Sequence, residues 1–438
     1  MYDILFKNGT AVTPEGTAEA DIGISGGKIT AIGKIDGHAA EEIDCRGLHI
    51  LPGVIDTQVH FREPGNTHKE DLETGTLSAL AGGVTGVFEM PNTNPLTTTA
   101  EALQDKLDRA AGRAWCNYAF FVGGTGDNAE TLPVLERLPG CCGVKVFMGS
   151  STGNLLTEDD ETLERILAHG SRRVAVHAED EARLKERAAL VAGSGDVRLH
   201  PHWRDVETAL KATQRLLKLA RKTGRPIHVL HVTTAEEMAL LADNKDIATV
   251  EVTPQHLTLF APDCYERLGT FAQMNPPIRE VRHHAALWQA LQNGVADLIG
   301  SDHAPHTREE KSRPYPESPS GMPGVQTLVP LMLSHINDGR LTLERFVDMV
   351  CHNPQRIYGI KGKGRIKTGY DGDLTIVDMK AKRVITNEWS RSKCGWTPFD
   401  GMKVTGWPVM TVLGGAIAMR EDEISGTPSG KVIAFTEK

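Results

Sequence analysis

The residues of this chain that could do chemistry are polar side chains set at the ends of apolar runs. Residues 53–60 end in Gln58 and His60, with Arg62 just beyond. Residues 83–90 lead into Asn92, and residues 143–148 carry Lys145 in their middle. Residues 173–177 end at His177, residues 226–231 at His231, and residues 296–301 are followed by Asp302, His303 and His306. Polar groups in a buried strand are costly unless they bind something. This mixture of imidazole, amine and carboxylate suits a metal ion, with zinc the leading candidate. A lone ammonium at Lys145 would cost on the order of several kcal/mol. A salt bridge would relieve that cost, and so would reaction with CO₂ to a carbamate that bridges two metals; the residues alone leave both open. In a strand Asp56, Gln58 and His60 share one face, whereas His228 and His231 point to opposite faces. His231, at the strand end, is therefore the expected ligand, and His228 a hydrogen-bonded structural histidine.

The elements that must position these groups alternate. The runs at 53–60, 83–90, 117–122, 143–148, 173–177, 226–231, 248–252 and 296–301 read as strands. Helical patterns lie between them at 98–111, 159–168, 205–222 and 235–241. Eight strand–helix units in about 300 residues predict a (β/α)₈ TIM-type barrel, whose active site lies at the strand C-termini. An open doubly wound sheet would favour a glycine-rich phosphate loop after its first strand, and none is present. Short strands at 3–6, 20–24 and 28–33, with Gly26-Gly27 as a hairpin turn, precede the barrel. Strand signals return at 369–377 and 409–419. The expected organisation is a β segment over 1–52, the barrel over 53–365, and a segment over 366–438 that completes a small β-sandwich domain with the first.

The motifs carry a resemblance as well. Residues 56–65 (Asp-Thr-Gln-Val-His-Phe-Arg-Glu-Pro-Gly), 90–95, 144–153, 177–180, 231–233, 274–279 and 301–306 (Ser-Asp-His-Ala-Pro-His) occur in the order found in the cyclic amidohydrolases of the amidohydrolase superfamily. They resemble the dihydroorotases most, over nearly the whole chain. The resemblance implies metal ligation by His60, Lys145 (N6-carboxylated), His177, His231 and Asp302, with one or two zinc ions per chain. It implies Asp302 as general base and acid, and Arg62, Asn92, Asn275 and His306 as residues that hold the substrate. Pro323 and Gly324 match a loop whose backbone contacts the pyrimidine ring. Gln58 departs from the family, which usually has His there. An amide oxygen is a poor zinc ligand, so Gln58 implies a weakened or empty first metal position beside a second that keeps Lys145, His177 and His231.

The implied reaction is reversible interconversion of N-carbamoyl-L-aspartate and (S)-dihydroorotate, in pyrimidine biosynthesis. Arg62 suits the substrate carboxylate, because a planar guanidinium can bind it bidentately. The related allantoinase pattern has Asn at that position, which makes an allantoinase or hydantoinase the enzymatic alternative. A catalytically silent scaffold for aspartate transcarbamoylase is the other.

Among the remaining candidates, His200 and His202 read as surface or capping groups and His283-His284 as solvent-facing. Residues 311–315 read as a mobile segment over the site, and His256 is given no role. The chain has 438 residues, 40% hydrophobic, and a net charge of -9, which argues against nucleic acid as the main partner. No apolar run approaches a membrane span, and no secretory signal is read. Seven scattered cysteines suggest reduced thiols in the cytoplasm. A homo-oligomer, most simply a dimer, is expected.

Overall fold

The computed structural model describes residues 1–151 and 155–436. Thr152 and Gly153, part of the Lys145 motif, lie outside the described residues. Eight parallel strands follow one another around a barrel: β1 (Val54–Val59), β2 (Val84–Glu89), β3 (Asn117–Gly123), β4 (Cys141–Phe147), β5 (Val174–His177), β6 (Ile227–Val229), β7 (Ala248–Val252) and β8 (Leu298–Ile299). The ring closes where His60 N donates to His303 O at 2.7 Å, beside a parallel bridge between Val59 and His303. Every residue of these strands is buried, as a parallel sheet covered on both faces requires. Each expected strand is present.

The helices begin at side-chain caps. Thr99 caps Ala100–Ala110, Asp159 caps Asp160–Ala168 and Asp205 caps Val206–Thr223, each accepting from a backbone N–H of the first turn. Outward-facing Val144, Val146, Val174, Val176, Val250 and Val252 pack under these helices in the main core.

Both chain ends build one nine-stranded mixed sheet beside the barrel. His49–Pro52 joins them, pairing in parallel with Tyr2–Thr13 and antiparallel with Leu374–Val384. Gly26 and Gly27, at φ 58° and 74°, make the expected hairpin turn. The expected strand over 409–419 is instead a hairpin. Gly414 and Gly415 take φ 54° and 81°, and the chain reverses between Lys403–Leu413 and Ala416–Arg420. Ala39–Asp44 and His49–Pro52 were not legible, because short strands with exposed or already shared faces lack a period-2 signal.

Three other expectations need correction. His200 is fully buried, although His202 is exposed as expected. His283 is buried too: its Nδ1 accepts from Ala235 N at 3.0 Å, where the helix Val281–Gln292 packs on Ala235–Ala242. Residues 311–315 are anchored at both ends, while Ser312, Arg313 and Pro314 stay exposed. Lys311 Nζ, fully buried, donates to Gln273 O (3.0 Å) and Pro319 O (2.8 Å), and Tyr315 is buried. In each case a tertiary partner distant in sequence supplies what a lone polar residue lacks.

Candidate active site

At the C-terminal mouth of the barrel lies a cavity. Its walls include Gln58, His60, Arg62, Asn92, His177, His231, Asn275 and Asp302. Eight of the expected site residues therefore converge. Backbone strain marks the same place. Arg62, His231 and Asp302 are left-handed, at φ 64°, 37° and 44°, half of the six non-glycine residues with positive φ among those described. Each costs about 1–3 kcal/mol and persists only where surrounding structure enforces it.

The end of β1 departs from simple alternation. Its pairing with β2 shifts register between Asp56 and Val59. Asp56 is consequently not a mouth residue: its Oδ1 accepts from Gln58 N (3.1 Å) and Ser301 N (3.0 Å), tying β1 to β8. Thr57 turns into the barrel and donates to Glu251 Oε2 at 2.9 Å. At the end of β6 the left-handed backbone of His231 likewise breaks the alternation with His228. His228 is buried, its Nδ1 2.8 Å from Thr249 Oγ1.

His60 stands between two partners, its Nδ1 2.8 Å from Asn92 Oδ1 and its Nε2 3.2 Å from Asp302 Oδ1. His177 donates from Nε2 to Glu179 Oε2 at 2.9 Å, which leaves its Nδ1 facing His231 Nε2 at 3.1 Å. Glu179 is clamped by Arg204, its carboxyl held well below the usual range because that guanidinium and His177 outweigh burial. Burial pushes all three imidazoles down, which favours their neutral form. Two ligands of one zinc stand ~3.3 Å apart, given Zn–N bonds of about 2.0–2.1 Å and tetrahedral angles. The His177–His231 spacing matches.

Lys145 completes the set. Its Nζ is fully buried, has no hydrogen-bond partner among the described residues and lies 4.2 Å from the centroid of the Phe147 ring. Burial lowers its pKa to about 7, so a large share of it is free amine near neutrality, the form that reacts with CO₂. It forms no salt bridge among the described residues. Among the described residues no three His, Cys, Asp or Glu converge tightly enough to hold an ion by themselves. The imidazole pair therefore needs Lys145, and with its carbamate the donors fit a metal of the zinc type.

Gln58 donates from Nε2 to Asp302 Oδ1 at 3.0 Å, and its Oε1 has no partner among the described residues. His306, Pro323 and Gly324 are not among the cavity walls. His306 backs Arg62: its Nε2 donates to Ser320 O (3.0 Å) and lies 3.3 Å from Arg62 Nη2, while Lys69 Nζ donates to its Nδ1 (3.1 Å). Pro323 and Gly324 line a neighbouring cavity with His303, Trp389 and Trp396. There Gly324 N donates to His303 Nδ1 at 3.1 Å. Glu179, Arg204, Ser320 and Gly321 were given no role in the sequence. Only Glu179, a carboxylate two residues past a strand-end histidine, left a signal that could have been read.

Residues 49–418 match the amidohydrolase family. The chain belongs to that family. A dihydroorotase of Methanosarcina mazei is 36% identical to this amidohydrolase over 98% of the chain and 96% of its own length. An L-hydantoinase of Paenarthrobacter aurescens is 33% identical over 97% and 96%. The solved L-hydantoinase (dihydropyrimidinase) of Arthrobacter aurescens superposes with a TM-score of 0.94 at 31% identity, covering 99% of this chain and all of its own. With that family, those relatives and this mouth, the amidohydrolase is a cyclic amide hydrolase. Among its described residues no helix is long and apolar enough to cross a membrane.

Proposed function

We propose that this amidohydrolase is a zinc-dependent dihydroorotase that interconverts N-carbamoyl-L-aspartate and (S)-dihydroorotate, in the biosynthesis of pyrimidines. The observation that carries this reading is Arg62. It is a buried guanidinium on the cavity wall, held in left-handed backbone and by its Nε bond to Pro305 O at 3.1 Å, beside Asn92 and Asn275. A desolvated cation in that setting asks for an anionic substrate group, and dihydroorotate carries one carboxylate on a cyclic imide.

His177, His231 and carboxylated Lys145 would hold one ion, which when bound lowers the pKa of water and polarises the scissile carbonyl. Arg62, with Asn92 and Asn275, grips the carboxylate and sets the ring over Asp302. Asp302, oriented by Gln58, takes the proton of the attacking water and returns it to the departing ring nitrogen. His306 packs behind Arg62, its Nε2 3.3 Å from Arg62 Nη2. The hydrogen bond from Gln58 to Asp302 supports a one-ion site, since Asp302 Oδ1 is already engaged where a second ion would need it. A dimer, or association with aspartate transcarbamoylase, belongs to the same proposal.

The second reading is a hydantoinase or dihydropyrimidinase, which the superposition at TM-score 0.94 favours. A catalytically silent scaffold would have no use for three strained polar residues at one mouth. Ring opening of dihydroorotate, followed by its ultraviolet absorbance after zinc and bicarbonate are supplied, is compared with hydantoin and dihydrouracil. Preference for dihydroorotate is expected. Preference for the carboxylate-free rings moves the site to the second reading, and a folded, zinc-loaded protein that opens none of them removes both.

A further inference from the structure

We propose that His200, braced by Tyr315, is a positioning residue that holds the amide of Asn275 with its NH₂ turned to the cavity, where it donates to an acceptor oxygen of the bound cyclic amide. His200 Nε2 lies 3.0 Å from Met274 O and 3.0 Å from Asn275 Oδ1, and its Nδ1 lies 3.2 Å from the Tyr315 hydroxyl. A peptide carbonyl can only accept, so the proton is on Nε2. Burial, helped by Arg204, pushes this imidazole down to about 3, so the ring carries that proton alone. Nδ1 is then a lone pair, and Tyr315 donates to it.

This logic fixes an amide orientation that the shape of an asparagine does not. The Nε2 proton must meet the oxygen end of Asn275. The nitrogen end faces the other way, 3.4 Å from Ser151 Oγ on the cavity wall. A flipped amide would set two donors against each other at His200 and show the substrate a carbonyl. The brace is itself held. Tyr315 sits in the strap stitched to the 270–275 loop by Lys311 Nζ and by Gly321 N donating to Gln273 O at 2.9 Å. The expectation that His200 faces solvent and that 311–315 is mobile missed the same device twice. The inference rests on the reading that Asn275 meets substrate, but not on which cyclic amide that substrate is.

Three variants test it: His200→Leu, with no donor; His200→Gln, whose amide can still donate to Asn275 Oδ1; and Tyr315→Phe, which removes one oxygen from a site that keeps its shape. Kinetics are measured on the ring the wild type opens best, with zinc content and thermal melting as controls. A KM rise of about tenfold is expected in His200→Leu with kcat changed less than about threefold, most of it recovered in His200→Gln, and a rise of about threefold in Tyr315→Phe. An unchanged KM in Tyr315→Phe, a loss confined to kcat, or no recovery in His200→Gln overturns the proposal. A neutron structure of the wild type decides it without substrate: deuterium is expected on His200 Nε2, and deuterium on Nδ1 overturns it. Should the wild type open hydantoin in place of dihydroorotate, the dihydroorotase reading falls, and the same ranking is read on hydantoin.

Discussion

Arg62 and Gln58 sit four residues apart on one strand end and govern different properties of the site. Arg62 reads the substrate. Replacing it by Gln removes a charge-assisted pair in a desolvated setting, worth about 2–4 kcal/mol. Arg62→Gln should raise the KM for dihydroorotate roughly 30- to 1000-fold while moving that for hydantoin less than about threefold. Parallel kinetics on the two rings check it, and equal losses on both would remove the carboxylate-binding role. Gln58 sets the ion count. Its amide offers no good nitrogen ligand and engages Asp302 Oδ1 as a donor. Gln58→His should raise bound zinc from about one to about two per chain, measured by elemental analysis of metal-reconstituted protein. A wild type that already binds two ions would show that Gln58 does not empty the first position.

At the scale of elements, the path from a helix to the site runs through one loop. The helix Val206–Thr223 starts at Asp205, directly after Arg204, which clamps Glu179 and through it His177. Asp205 caps the helix by accepting from Thr208 N at 3.0 Å and pairs with Arg183 at 2.6 Å. Burial raises its pKa, but the bonds from Arg183 and Thr208 outweigh it and hold the carboxyl at about 2. Its folded pKa lies below the unfolded value of about 3.9, so its contribution is whole above that value and is lost as pH falls toward 2. Asp205→Ala should cost about 1 kcal/mol at pH 7 by urea unfolding, and the gap from wild type should narrow at pH 3. A gap that widens in acid would show that the carboxylate is not the stabilising form.

The two ends of the barrel divide stability from function in the whole molecule. The C-terminal segment returns beneath the barrel. Ile433 N donates to Tyr118 O at 2.8 Å, and Phe435 stacks edge-on against Phe88 with centroids 5.7 Å apart. Phe435→Ala should cost about 3–4 kcal/mol in stability, yet leave KM and kcat at 25 °C within about twofold, because the site is at the opposite end. Calorimetry and steady-state kinetics on one preparation test both halves. Acid sensitivity is also a property of the whole fold. Burial pushes His200 and His228 down to about 3, and His256, His283 and His335 to about 4. Their folded values lie below the unfolded ~6.5, so between about pH 6.5 and 4 the unfolded chain binds more protons and stability rises with pH. Each histidine adds on the order of 1.4 kcal/mol per pH unit within that window. Unfolding at pH 5 should therefore take up several protons, measurable by calorimetry in two buffers. A stability that is flat from pH 7 to 5 would mean these imidazoles already titrate in the folded protein.

The barrel and its inventory of ligands were legible because both depend on local pattern. Apolar runs of strand length mark all eight strands, and a parallel barrel brings their C-terminal ends together whatever the loops do, so His60, Lys145, His177, His231 and Asp302 could be read as one site. Orientation was not legible. The register shift at Asp56 and the left-handed backbone of His231 overrode alternation, because each is held by a neighbouring strand or by the closed mouth rather than by its own sequence. Polarity misled at His200, His283, Lys311 and Tyr315, where long-range partners satisfy groups that local composition assigns to solvent. Pro323 and Gly324 line a neighbouring cavity, because the bond from Gly324 N to His303 ties their loop there. The chain's own residue types thus set which fold and which ligands are available. Apart from His177, oriented by Glu179 two residues on, contacts between residues tens to hundreds apart decided which atom of a side chain faces the substrate, since a tautomer or an amide orientation is set by the partner across the space it closes.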